Sequence, residues 1–169
     1  MKKKKIIIPL MIVIVIVGIF IYKKVSVLDG SNDSVVTPEF ALDATYDFDL
    51  EELKSYNLPI IIDFGYESCP ACKIIAPIIK NVNEKYQGRV LVKYVDIEKN
   101  QEAALDFPLR VVPTQFFFYA DGTPYMPREN QRDFIVYAEK DTNEPVYTAH
   151  EGVMTESEFD EIIKELEAK

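Results

Sequence analysis

Both cysteines of the chain lie three residues apart in Glu67-Ser68-Cys69-Pro70-Ala71-Cys72. Two thiols at this spacing can act as a structural staple, as part of a metal site, or as a dithiol that exchanges electrons with other disulfides. A staple closing so small a loop removes little entropy from the unfolded chain and so stabilises little. Zinc takes three or four protein ligands and copper further soft or imidazole ones, whereas beyond the two thiols the chain offers one imidazole, His150. That histidine is read as a strand-end or surface residue, and no metal is expected. The redox alternative accounts for more residues. If an apolar strand ends around Gly65 and a helix begins near Cys69, the Cys69 sulfur sits against unpaired helix N–H groups and the positive end of the helix dipole, which favour thiolate. Pro70 is tolerated in the first turn because its missing N–H would have had no intrahelical partner. Cys72, one turn on, is expected to be the more enclosed thiol. In this arrangement Cys69 attacks and Cys72 resolves, with the Cys69–Cys72 disulfide/dithiol as the redox centre and no separate cofactor.

Positioning such a pair requires strands and helices in alternation. "DFDLEELKSYN" has an Asp ahead of spaced leucines and early acids, a helix start. "LPIIIDFGY" is a continuous β-branched run, expected in the middle of a sheet covered on both faces. "CPACKIIAPIIKNVNEKY" places Ile74, Ile75, Ile78, Ile79 and Val82 on one predicted apolar stripe, with Pro77 as a kink. "RVLVKYVDI" is the next strand, and strand–helix–strand order implies a right-handed parallel crossover. A short helix at "NQEAALDF" and a strand at "TQFFFYADG" follow, the latter closed by an Asp121-Gly122 turn. Two strand-like runs then flank "DTNEP", and Thr155-x-x-Glu158 is a capping box opening a final amphipathic helix. These elements predict an α/β sandwich with a mixed sheet, in which residues 123–145 form a longer region than a simple hairpin requires.

The N-terminus carries a separate signal. Four lysines precede an uncharged apolar run from Ile6 to Tyr22, closed by Lys23 and Lys24. As a helix this run would reach about 25 Å, and the flanking lysines can snorkel to both interfaces of a bilayer. More lysines precede the run than follow it, so the positive-inside bias predicts a cytoplasmic N-terminus and an extracytoplasmic body. A cleaved secretory signal is the rival, but no small-x-small site follows the run. Residues 1–24 are therefore assigned to cytoplasmic lysines and a transmembrane signal anchor, 25–38 to a flexible tether and 39–169 to the globular domain. After Pro38 the chain has 13 basic and 26 acidic residues. That balance argues against nucleic acid, which demands a basic face.

"IIIDFGYESCPACKIIAP" and "RVVPTQFFFYADG" together resemble the thioredoxin superfamily over about 43–169. The resemblance implies a thioredoxin-like three-layer sandwich, with a central mixed sheet flanked by helices and preceded here by the N-terminal transmembrane helix. It carries across Asp63 as the buried acid of the central strand, Cys69 and Cys72 as the redox pair, Lys73 after them, Pro77 as the helix proline and Pro113 as a cis-proline. Lys93 falls where the family keeps a lysine near the buried acid. A cis Val112-Pro113 bond would set Val112 backbone groups beside the sulfurs, where an extended substrate could pair by strand addition. A carboxylate in an "IIID" strand is desolvated, which raises its pKa and suits Asp63 to proton exchange with Cys72 near neutral pH.

Two departures from the family pattern stand out. The aromatic positions around the motif, usually Trp, are Gly65 and Ser68, which alters the apolar apron for substrate. The intervening dipeptide is Pro70-Ala71, and these residues tune thiolate stability and hence potential. No His lies between the cysteines, as it does in strongly oxidising DsbA-like proteins, which favours a reductant. The resemblance thus implies a membrane-tethered, extracytoplasmic thiol–disulfide oxidoreductase of the plasma membrane that reduces protein disulfides. A CcdA/DsbD-type membrane electron carrier is the implied partner that recharges it. An oxidase or isomerase of the same fold, and a redox-inactive partner-binding module, are the alternatives.

Overall fold

The computed structural model describes residues 37–128 and 133–169. The anchor expected over 1–24 and nearly all of the tether lie outside the described residues. Among the described residues no helix is long and apolar enough to cross a membrane.

A 3-10 turn at Pro38–Phe40 leads into α1 (Leu50–Ser55), whose N-cap Asp49 accepts the backbone N–H groups of Glu51 and Glu52. There follow β1 (Ile60–Gly65), α2 (Pro70–Lys85), β2 (Leu91–Asp96), the one-turn α3 (Glu102–Leu105), β3 (Thr114–Phe118), β4 (Phe134–Ala138), β5 (Pro145–Glu151) and α4 (Glu156–Glu167). The five strands form one sheet in the order β2-β1-β3-β5-β4. β1 and β2 are parallel across the α2 crossover, and the other pairings between these five strands are antiparallel. The sheet is therefore mixed, as the element order predicts.

β1 is buried at all six positions, which is why its sequence is apolar on both faces. Ile61 joins Ile75, Ile79 and Val82 of α2 and Phe159, Ile162 and Ile163 of α4 in one core. Ile60, Ile62 and Phe64 point the other way, packing with Leu53 of α1, Phe107 and Phe116. Each of these fully buried Ile and Phe side chains is worth roughly 1.5–3 kcal/mol over an exposed one. Helices thus cover both faces of the sheet. The capping box opens α4 as expected: Glu158 N–H meets the Thr155 hydroxyl, and Thr155 N–H meets the Glu158 carboxylate at 2.7 Å.

The long region after β3 has two parts. Gly122 turns the chain with φ +77°, a conformation favouring glycine, and Tyr125 then returns to bond Phe117 and bury its ring. Beyond it β4 pairs with β5 on the outer edge of the sheet, so β5 lies directly beside β3.

Two sequence expectations need correction here. Ile74 is 60% exposed rather than part of the buried stripe. It sits about 100° round the helix from Ile75, outside the arc that Ile75, Ile79 and Val82 bury. Lys93 does not approach Asp63. In the β1/β2 register Lys93 is opposite Ile62 and Tyr94 is opposite Asp63, so Lys93 points with Leu91 and Val95 to the other face of the sheet. There its Nζ donates to the Ala41 carbonyl at 2.7 Å, and burial lowers its pKa while Glu39 and Glu52 oppose that shift.

Candidate active site

α2 begins where β1 has just ended. Cys69 is its N-cap, in extended conformation, and the Cys69 sulfur accepts the backbone N–H of Cys72 at 3.2 Å. A cysteine thus takes the place usually held by a Ser or Asp side chain. Pro70 follows as the first helical residue, exposed, with Ala71 half-buried behind it. Both cysteines are free thiols. Cys72 is expected to be the more enclosed thiol; the two residues are equally exposed at 5%, but their sulfurs differ both in burial and in neighbours.

Burial raises the Cys69 thiol, but the Cys72 thiol and the backbone N–H groups of Cys72 and Ala71 outweigh it and hold Cys69 below its ordinary value. For Cys72, burial, the hydrogen bond to Cys69 and the charges of Cys69 and Asp63 act together and push it up to about 12. The Cys69 thiol is thus the more acidic of the two, and Cys72 holds its proton the more tightly.

Asp63 is 1% exposed, and burial raises it to about 7 against the lowering effect of a hydrogen bond from Gln115. Its Oδ1 accepts the Gln115 amide at 2.8 Å, and its Oδ2 has no hydrogen-bond partner among the described residues. Gly65 completes the floor of the site. A Cβ there would lie 3.2 Å from Cys72 Sγ and 3.3 Å from the Tyr94 ring. The absence of a side chain at Gly65 is what lets Cys72 and Tyr94 pack together.

The loop before β3 forms the opposite wall. The Val112-Pro113 peptide is cis, and the Val112 carbonyl lies 3.8 Å from Cys69 Sγ, a long contact even for sulfur. The end of β5 clamps this loop. Gly152 N–H donates to the Pro113 carbonyl at 2.8 Å, and Arg110 forms a two-pronged pair with Glu151 at 2.8 and 2.9 Å.

Cys69, Pro70, Ala71, Cys72, Asp63, Val112 and Pro113 therefore surround one site, and Lys93 is absent from it. Lys73 and Pro77 lie on the exposed side of α2, which continues through Pro77 although that residue has no N–H for the Lys73 carbonyl. Sequence reasoning missed Tyr94, Gln115 and the β5 clamp, and read His150 as a strand-end or surface residue; it stands at the end of β5. That ring is half-buried, with Nδ1 3.0 Å from Gln115 Oε1. No group of three or more His, Cys, Asp or Glu side chains among the described residues is arranged to hold a metal.

Residues 40–136, more than half of the chain, match the thioredoxin family. A thioredoxin of Rickettsia conorii is 35% identical over 68 residues, covering 40% of this chain and 65% of that protein. One from Synechocystis is 28% identical over 68 residues, covering 40% of this chain and 64% of its own length. The chain thus spans a little under two thirds of these relatives. Thioredoxin H4 of Arabidopsis thaliana is 30% identical over 106 residues, 63% of this chain and 82% of that protein. The solved structure of chloroplastic thioredoxin z superposes with a TM-score of 0.52 at 22% identity, over 76% of this chain and 96% of that one, a likeness of fold.

Proposed function

The chain belongs to the thioredoxin family, and from that premise we propose that it is a thiol–disulfide oxidoreductase that reduces disulfides in protein substrates. The observation that carries this reading is the asymmetry of the pair: Cys69 held below its ordinary value at a helix start, and Cys72 pushed up to about 12 beside a buried acid.

In the reducing direction the Cys69 thiolate attacks a substrate disulfide. A Cys69–substrate S–S bond forms, the substrate S–S bond breaks, and the departing sulfur leaves as thiolate and takes up a proton. The Asp63 carboxylate accepts the Cys72 proton. Cys72 then attacks the Cys69 sulfur, which releases the second substrate thiol and leaves Cys69–Cys72 oxidised. Two electrons have passed to the substrate. The Val112 carbonyl, 3.8 Å from the attacking sulfur, is the backbone group against which an extended substrate segment would pair.

The apolar run Ile6–Tyr22 with its flanking lysines supports a tether that keeps the N-terminus cytoplasmic and this domain outside the plasma membrane. A protein in that position needs electrons delivered across the membrane, for which a CcdA/DsbD-type carrier is the proposed partner. The deciding measurement is the reduction potential of the full chain, equilibrated against defined thiol buffers. A value near about −270 mV supports a reductant, and one near about −120 mV would reverse the direction to oxidation. Mass spectrometry of the mature N-terminus tests the anchor, and a chain beginning near residue 28 would overturn it.

A further inference from the structure

One row of side chains crosses the whole sheet beneath the cysteines. Tyr94 of β2 is paired with Asp63 of β1, Asp63 with Gln115 of β3, Gln115 with His150 of β5, and His150 with Phe134 of β4. Directly paired residues share a face, so the row lies on the α2/α4 side, where Cys72 sits. Gln115 is 0% exposed, an amide placed between an acid and an imidazole in the core. A buried amide of this kind is costly unless its donors and acceptor are matched.

The hydrogens in this row can be counted. Gln115 Nε2 lies 3.1 Å from the Gly152 carbonyl, which can only accept, so the amide nitrogen must face that way. Its two hydrogens go to Gly152 O and to Asp63 Oδ1. Gln115 Oε1 is left facing His150 Nδ1 at 3.0 Å, and an oxygen there requires Nδ1 to carry the hydrogen. Both the imidazolium and the Nδ1–H neutral ring meet that requirement, so the arrangement survives titration of the histidine. Asp63 Oδ1 is engaged as an acceptor, and Oδ2 is the oxygen left without a partner among the described residues.

We infer that Gln115 and His150 are positioning residues for the redox reaction: the Gly152 carbonyl sets the orientation of the Gln115 amide, His150 engages its oxygen, and the amide holds Asp63 so that Oδ2 carries the exchanged proton. Were the amide reversed, its oxygen would face Oδ1, and the carboxylate would meet an acceptor instead of a donor. The inference rests on the proposed oxidoreductase activity for its purpose, but its geometry stands without it. His150 and the rest of β5 lie beyond the stretch that matches the thioredoxin family, so the ring that meets Gln115 comes from outside that match.

The charged and titratable neighbours are few. Asp63 faces Cys69, Cys72 and Tyr94, and His150 feels Glu158, Asp133 and Glu151 and lines a cleft with Glu161. The test is the titration of the Asp63 carboxyl carbon by 13C NMR in the reduced full chain. Gln115→Met, with Gln115→Leu as the second variant should it not fold, removes a donor to the carboxylate. It raises the Asp63 midpoint by about one pH unit, a tenfold gain in proton affinity. His150→Leu raises it in the same direction, whereas His150→Asn, which can present an amide N–H near the place of Nδ1, leaves it unmoved. Adding His150→Leu to Gln115→Met produces no further rise, because the ring acts through the amide. An unmoved midpoint in Gln115→Met, equal displacement in His150→Asn and His150→Leu, or additive displacements in the double variant would each overturn the inference. No substrate enters these titrations. A wild-type chain that reduces no disulfide would therefore sink the proposed activity, while the carboxyl titration still decides this one.

Discussion

Cys72 donates its backbone N–H to the sulfur of Cys69 at 3.2 Å, so the residue proposed to displace the substrate also stabilises the sulfur proposed to bind it. That bond helps lower the Cys69 thiol, while burial and the contact between the two sulfurs raise that of Cys72. Thiolate absorbance near 240 nm therefore rises in two separated steps in the reduced chain, the first below the ordinary thiol value of 9.0 and the second at about 12. In Cys69→Ser the first step disappears. A single step of two thiolates near 9 would refute the asymmetry on which the mechanism depends.

Asp63 links the site to stability. Its folded-state value of about 7 lies above the ordinary 3.8, so the folded chain holds this proton more tightly than the unfolded one. The resulting stabilisation is fully present below about pH 3.8 and is lost as pH rises through about 7. The difference is worth on the order of 4 kcal/mol. Asp63→Asn removes this dependence. The stability of the variant relative to wild type, measured by urea unfolding of the reduced chains, should climb by about that amount between pH 4 and pH 8. A difference that stays constant with pH would mean that Asp63 ionises normally in the folded chain.

The same substitution separates the two chemical steps. In the proposed mechanism attack by Cys69 needs no proton taken by Asp63, whereas attack by Cys72 does. Asp63→Asn should slow resolution of a trapped mixed disulfide by roughly 10²-fold at pH 7 and leave its formation much less affected. Rapid-quench kinetics with a small disulfide substrate reads both steps. Equal resolution rates in the two proteins would remove Asp63 from the proton transfer.

What the sequence made legible is local. The Cys69-Pro70 helix start, the Asp49 cap and the Thr155–Glu158 box each depend on contacts within a few residues, and each stands where the residue types place it. The mixed sheet follows from the order of elements. Lys93 was misplaced because its face depends on a register between two strands, and a shift of one residue exchanges Lys93 for Tyr94. The partnership of Gln115 with His150 was hidden for a deeper reason. β4 intervenes between β3 and β5 in the chain but pairs on the outer side of β5, so sequence spacing gives no hint that residues 115 and 150 are neighbours. The only trace was a polar Gln at the start of the apolar strand "TQFFF".

Gly65 is the last position at which the structure makes a firm claim, because family members usually carry Trp there and this chain has no side chain at all. An added methyl would meet Cys72 Sγ at 3.2 Å and the Tyr94 ring at 3.3 Å, closer than an ordinary carbon contact on both sides. Overpacking of this kind costs about 1–3 kcal/mol, while replacing glycine returns up to about 1 kcal/mol through the unfolded chain. Gly65→Ala should therefore destabilise the reduced protein by about 1 kcal/mol in urea unfolding. Resolution should slow as well, since the sulfur that must move toward Cys69 is the one displaced. Tyr94→Ala opens one side of the contact, so in that background the cost of Gly65→Ala should fall. An undiminished penalty there would show that the crowding falls on the sulfur alone, and no penalty in either background would show that both neighbours yield freely.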